Sequence, residues 1–162
     1  FILYECNQPL VPLSKELKMI RDYVELEKVR YGNELDLHVD IPEESNNLLV
    51  APLLVLPLIE NSFKHGTSHV LEQPWINLQI TLKGNMMLMK LMNGKSRESK
   101  TGESASGIGV KNVEKRLELL YPNKHDLVIT NEEDVFIVKL KVELESMPDR
   151  ANDLNKTIPA HV

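Results

Sequence analysis

A two-residue turn flanked by alternating apolar residues constrains this chain more than any other feature. Ile76, Leu78, Ile80 and Leu82 alternate with other residues, Gly84-Asn85 follows, and Met86 to Met92 runs back. Gly-Asn between two such runs signals a β-hairpin, because glycine reaches positive φ freely and two-residue turns match the twist of paired strands. One antiparallel pair with a buried face is thereby expected, and another layer must cover that face. Three more segments read as strands: Leu35, Leu37, Val39 and Ile41 alternate with Asp36, His38 and Asp40, while Leu127 to Thr130 and Val135 to Leu144 flank an acidic turn at 131–134. His38 falls on the polar face of its strand and carries no signal of a ligand role.

The covering layer is helical. Leu17, Ile20, Val24 and Tyr31 follow helical spacing from Leu13, giving a helix from Ser14, read as its N-cap, to Arg30, with Gly32 and Asn33 as the stop. Lys15, Glu16, Lys18, Arg21, Asp22, Glu25 and Lys28 are assigned to its solvated face. A second helix is expected from about Ala51 to His65, its regular part beginning a residue or two before Pro57, since proline inside a helix removes a hydrogen bond. The third opens at Gly107-Ile108-Gly109, buries Val110, Val113, Leu117 and Leu120, and ends at Tyr121-Pro122. Helix, strand, helix, two strands, helix, two strands is the order of an α+β fold with helices on one face of a mixed sheet.

Composition narrows the function classes. The 162 residues fit one domain, and a net charge of −5 with scattered Lys and Arg argues against a nucleic-acid or anionic-membrane surface, which needs a basic patch. Cys6 is the single cysteine, so no disulfide framework exists and a reducing compartment suits the chain. The longest apolar run, Leu48 to Ile59, is interrupted by Pro52 and Pro57 and is too short for a membrane span. A start at Phe1 without Met or signal peptide is read as a fragment of a longer protein. Met147 to Val162 lacks periodicity and is expected to be a disordered tail or linker.

Chemistry concentrates in two places. At 100° per residue, Glu60, Lys64, Asn61 and His65 fall on one arc of about 140°, with Leu56, Ile59 and Phe63 opposite. A carboxylate, an ammonium, an amide and an imidazole are thus presented together, either as the wet end of a core helix stopped by Gly66 or as a site. Asn61 could offer an oxygen to Mg²⁺, Lys64 and His65 could offset phosphate charge, and Glu60 could accept a proton. Gly107 and Gly109 at a helix start form a candidate phosphate cradle, where N–H groups and the helix dipole favour an anion. Neither the dinucleotide fingerprint nor the P-loop pattern is met. A His65/His69 metal pair fails because Gly66 interrupts the helix between them. The polar stretch Asn93 to Ser106 is expected to be a mobile functional lid or a disordered loop.

The stretch Leu58-Ile59-Glu60-Asn61-Ser62-Phe63-Lys64-His65-Gly66 resembles the N box of sensor histidine kinases. Residues 107–122, Gly-Ile-Gly-Val-Lys-Asn-Val-Glu-Lys-Arg-Leu-Glu-Leu-Leu-Tyr-Pro, resemble their second glycine box in the LytS-like subfamily, and residues 11–17 and 23–32 resemble that subfamily's lead-in. The resemblance covers roughly residues 10–145. It implies a Bergerat-type ATP-binding fold, a mixed five-stranded sheet under three helices, and transfer of the ATP γ-phosphoryl group to a histidine upstream. It further implies Asn61 on Mg²⁺, Glu60 and Lys64 assisting the transfer, Lys64 and His65 on the phosphate side, Asn93 and Gly94 on the nucleotide's adenine side, Gly107 and Gly109 holding phosphates with Asn112 beside them, and Asn93 to Ser106 as the lid. Arg116 matches the family pattern, with a solvated ion pair as the equal alternative. Residues 1–32 would be the end of a dimerisation or linker helix, 33–146 the catalytic domain and 147–162 the tail. The expected partners are a LytTR-type response regulator and, in the full-length protein, a second copy. The fragment itself would make no membrane contact, as the cytoplasmic domain of an inner-membrane sensor.

Two departures accompany the resemblance. The family's first glycine box carries an Asp that hydrogen-bonds the adenine amino group, whereas this chain reads Leu91-Met92-Asn93-Gly94. Either Met92 replaces the acid or Asn93 stands in through its amide oxygen, and weakened nucleotide affinity is expected. The phosphoacceptor histidine box is also absent, since none of His38, His65, His69, His125 and His161 has its context. The alternatives are a degenerate, non-catalytic module of the same fold, or an ATPase doing conformational work like the chaperones and gyrases of the superfamily.

Overall fold

In the computed structural model, which describes residues 9–66, 73–95 and 107–148, the hairpin forms where the alternation demands it. Gly84 adopts φ 59° and Lys83 pairs with Met86 across the turn, joining β4 (Trp75–Lys83) to β5 (Met86–Gly94). Around this pair the sheet runs β2 (Asp36–Asp40), β4, β5, β7 (Val135–Glu143), β6 (His125–Asn131). Only the β2–β4 pairing is parallel, so the five-stranded sheet is mixed, as expected.

Three helices cover one face: α1 (Leu13–Tyr31), α2 (Leu56–Gly66) and α3 (Ile108–Leu120). Leu13, Leu17, Ile20 and Val24 of α1, Leu58, Ile59 and Phe63 of α2, and Val110, Val113 and Leu117 of α3 share one core with the inward residues of the sheet, among them Ile76, Leu78, Met87, Met89, Leu91, Val138 and Leu140. Pro57 is the second residue of α2, where a missing N–H costs nothing, and Leu58 and Ile59 both donate to the Val55 carbonyl.

Several local expectations need correction. Ser14 does not cap α1. Val11-Pro12 forms a short strand, β1, paired with β3 (Leu48–Val50), so the chain enters the helix directly from Pro12 and Ser14 is exposed. With β8 (Glu145–Ser146), β1 and β3 make a small second sheet whose strands of two or three residues are too short to display a period. Glu16 is not on the solvated face but buried at 3% exposure, and the Arg21 guanidinium bonds the Pro42 carbonyl. Strand β5 runs on through Asn93 and Gly94, which pair with Phe136 and Val135, so these two residues are sheet rather than the start of the loop. The rest of the lid beyond Lys95, His69 and most of the tail lie outside the described residues.

Candidate functional site

The N-terminal end of α3 and the outer side of α2 meet. Gly107 precedes α3 with φ −67° and ψ 178°, without a side-chain cap and with no acidic residue in the first turn. Such a start leaves N–H groups and partial positive charge directed outward. A methyl group built on Gly107 would lie 3.8 Å from Asn61 Oδ1, and one on Gly109 would lie 3.8 Å from the Pro57 carbonyl oxygen. These are ordinary contacts, and neither glycine has a left-handed φ. Among the described residues, nothing in the local packing demands glycine at either position, which suits a group approaching the backbone.

Along α2, Glu60, Lys64 and His65 are exposed and Asn61 is half-buried, while Leu58, Ile59 and Phe63 face the core. The helical arc expected from spacing is thus present, with Asn61 as the member that abuts the glycine turn. Asn112 is exposed on α3. No three His, Cys, Asp or Glu side chains cluster as metal ligands among the described residues. A divalent ion here would rest on the Asn61 amide oxygen, phosphate oxygens and water, the donor set that suits Mg²⁺.

The pleat puts Met92 and Asn93 on opposite faces of the sheet. Along β5, Met87, Met89, Leu91 and Asn93 point to the helix-covered side, whereas Leu88, Lys90 and Met92 point to the open side. Asn93 is 0% exposed, its amide nitrogen donates to the Gly94 carbonyl at 2.9 Å, and its Oδ1 has no protein partner among the described residues. A buried acceptor left unpaired costs about 1–3 kcal/mol, which an N–H donor on a ligand would recover. Gly66, at the end of α2, backs directly onto this residue, since a methyl there would sit 2.9 Å from Asn93 Cβ. Gly94 has a different reason for being glycine: a methyl would lie 2.6 Å from Trp75 Nε1.

Four residues absent from the expected site lie on or against α2 and the segment that precedes it. Ser62 is fully buried on the face of α2 that also carries Gly66, with its hydroxyl unpartnered among the described residues. Tyr23 of α1 stacks edge-on against Phe63 with ring centres 5.5 Å apart, and burial together with the Glu27 and Glu60 carboxylates pushes its phenol up to about 12. The phenol is therefore protonated beside Glu60 at neutral pH. Glu16 and Tyr121 reach the segment preceding α2, where Arg116 also binds, donating to the Leu53 carbonyl at 2.9 Å and the Pro52 carbonyl at 2.8 Å. Arg116 thus spends its guanidinium on two backbone carbonyls rather than on a solvated ion pair. Glu16 was detectable in principle: at −60° from Leu13 on the helical wheel it borders the apolar arc.

Comparison with known proteins agrees with this architecture. No family model matches the chain. Among curated proteins it is 25% identical over 126 residues to the sensor histidine kinase BtsS of Escherichia coli, covering 78% of this chain and 22% of BtsS. It is 28% identical over 130 residues to the sensor histidine kinase/phosphatase LytS of Staphylococcus aureus, covering 71% of this chain and 22% of LytS. The chain thus spans about a fifth of the length of these relatives. Among solved structures, the nucleotide-free catalytic domain of histidine kinase ThkA superposes with a TM-score of 0.59 at 10% identity, covering 86% of this chain and 98% of that domain. The fold is that of a histidine kinase catalytic domain.

Proposed function

We infer that this chain, a LytS-like sensor histidine kinase sequence on a histidine kinase catalytic fold, binds ATP and donates its γ-phosphoryl group to a histidine carried elsewhere in the full-length protein. The observation that carries this reading is the juxtaposition of Asn61 with the start of α3 at Gly107, which has no side-chain cap among the described residues, because it gathers an oxygen ligand and a helix N-terminus suited to an anion at one point. Mg²⁺ held by Asn61 would supply charge neutralisation at the phosphates. Gly107 and Gly109 offer backbone N–H groups to the phosphate oxygens, and on the same side exposed Lys64 adds positive charge and exposed His65 a ring nitrogen. In the transfer, the bond from the γ-phosphorus to ADP breaks as a bond to the acceptor imidazole nitrogen forms. Exposed Glu60 is suited to accept the proton that the imidazole loses. Asn93 would receive the adenine amino group on its orphaned oxygen. Response regulators of the LytTR type would take the phosphoryl group onward, and a dimer of the full-length protein in the cytoplasm would present the acceptor.

Calorimetric titration with a non-hydrolysable ATP analogue tests the reading. Binding should require Mg²⁺, and Asn61→Ala should remove the Mg²⁺ requirement along with about tenfold or more of the affinity. Magnesium-independent binding unaffected by Asn61→Ala would sink it. One observation favours a second reading, a degenerate module of the same fold: the adenine side offers a neutral amide where a carboxylate would bind more strongly. Absence of any analogue binding at millimolar concentration would select that module.

A further inference from the structure

Residues 51–55, between β3 and α2, are gripped from two other helices. The Leu53 N–H donates to Glu16 Oε2 of α1 at 3.1 Å, while the Leu53 and Pro52 carbonyls accept from the two terminal nitrogens of Arg116 on α3. The Ala51 N–H donates to the Tyr121 hydroxyl at 3.0 Å, just past the end of α3. Leu53 has φ 57°, a left-handed conformation that a branched residue adopts only when its surroundings hold it there. Its side chain is 47% exposed, so burial is not what holds it, and the grips on its N–H and C=O are.

Three residues after Leu53, α2 begins. The same helix α3 then meets this segment at successive levels: Arg116 at residues 52 and 53, Gly109 at Pro57, and Gly107 at Asn61. The clasp at one end therefore sets the registration of α2 against the glycine turn at the other. Burial pushes the Glu16 carboxyl up, and the Leu53 N–H and the Arg116 guanidinium oppose that shift, so acid and base share the same turn.

Resting on the nucleotide reading above, we propose that Glu16 and Arg116 are positioning residues: through the backbone of Leu53 they fix Asn61 against Gly107 and couple α1 to the phosphate cradle. Any shift of α1 pulls on the Leu53 N–H while α3 retains its carbonyl, so the left-handed turn is where movement of α1 meets the site.

Calorimetry of the full chain with Mg²⁺ and a non-hydrolysable ATP analogue, together with amide exchange at Leu53, tests this. Arg116→Met should weaken the analogue by about tenfold, and Glu16→Ala by about threefold, whereas Glu16→Gln, which keeps an acceptor for the Leu53 N–H, should stay within about twofold of the parent. Bound analogue should slow exchange of the Leu53 amide in the parent and not in Arg116→Met. If Arg116→Met does not fold, Arg116→Lys, which keeps the charge but cannot fork onto two carbonyls, should weaken binding by about threefold. Variants that melt earlier yet bind the analogue like the parent would overturn the proposal and leave the nucleotide reading standing. A parent chain that binds no analogue would overturn both.

Discussion

Asn93 carries a consequence that follows from its side of the strand. Its amide oxygen is buried, unpartnered among the described residues and on the helix-covered face, so a ligand N–H reaching it gains a neutral hydrogen bond. A carboxylate there would make the bond charge-assisted, and bonds to charged groups contribute about 1.5–3 kcal/mol against about 1 for neutral ones. Asn93→Asp is therefore expected to tighten adenine nucleotide binding about tenfold. The same change should lower the stability of the free protein, because an ionised carboxyl would be buried without a counter-charge. Met92→Asp places its carboxylate on the open side of the sheet and should leave affinity within about twofold. Titration calorimetry of the two variants checks the pair, and a gain for Met92→Asp instead would put the adenine on the wrong face. The sequence leaves Met92 and Asn93 equal because a strand's period says that they face opposite ways without saying which side the helices cover. Glu16 sat at the border of the apolar arc, yet its role was missed for a related reason: a charge there reads as solvated until the partner that satisfies it, the Leu53 backbone, is folded beside it.

At the scale of elements, the strands of the large sheet were readable because most alternate over several residues or form apolar runs beside turn signals, and the Gly84-Asn85 turn gave one pairing outright. The small sheet was not, since β1, β3 and β8 have two, three and two residues and derive their pairing from chain segments far apart in sequence. The polar face of α2 was legible from its arc, but its neighbours were not. Gly66 illustrates this. Sequence reads it as a helix stop, whereas it also lets α2 lie directly on β5: a methyl would stand 2.9 Å from Asn93 Cβ and 3.2 Å from Ile76 Cγ1. Neither contact atom is the free end of a flexible chain, so the helix or the strand must shift. Gly66→Ala is expected to cost about 1–3 kcal/mol of stability by overpacking, even though alanine is the better helix former. Urea unfolding measures it, and an unchanged or raised midpoint would show that α2 is free to lift from the strand. Because Asn93 is the residue displaced, nucleotide affinity should fall with stability in this variant.

For the whole molecule, the question is whether α1 belongs to the same folded unit as the sheet or merely leads into it, as a boundary at residue 33 would have it. Its residues Leu13, Leu17, Ile20 and Val24 are each no more than 2% exposed and lie in the same core as α2, α3 and the sheet. Full burial of such side chains contributes about 1.5–3 kcal/mol each, on the order of 6–12 kcal/mol together, against total stabilities of about 5–15 kcal/mol for domains of this kind. Removing α1 also strips Leu53 of the Glu16 carboxylate and Phe63 of its contact with Tyr23. A chain beginning at Asn33 is therefore expected to lose cooperative unfolding, with its sheet partly formed but its core exposed. Near-ultraviolet circular dichroism and a urea titration of the shortened chain decide this. A sharp transition at the midpoint of the full chain would mean that the helix is a detachable lead-in, and any coupling from α1 to the glycine turn at Gly107 would then have no structural route. Loss of the transition would instead mean that a movement of α1 cannot occur without disturbing the core on which Asn61 and Gly107 are placed.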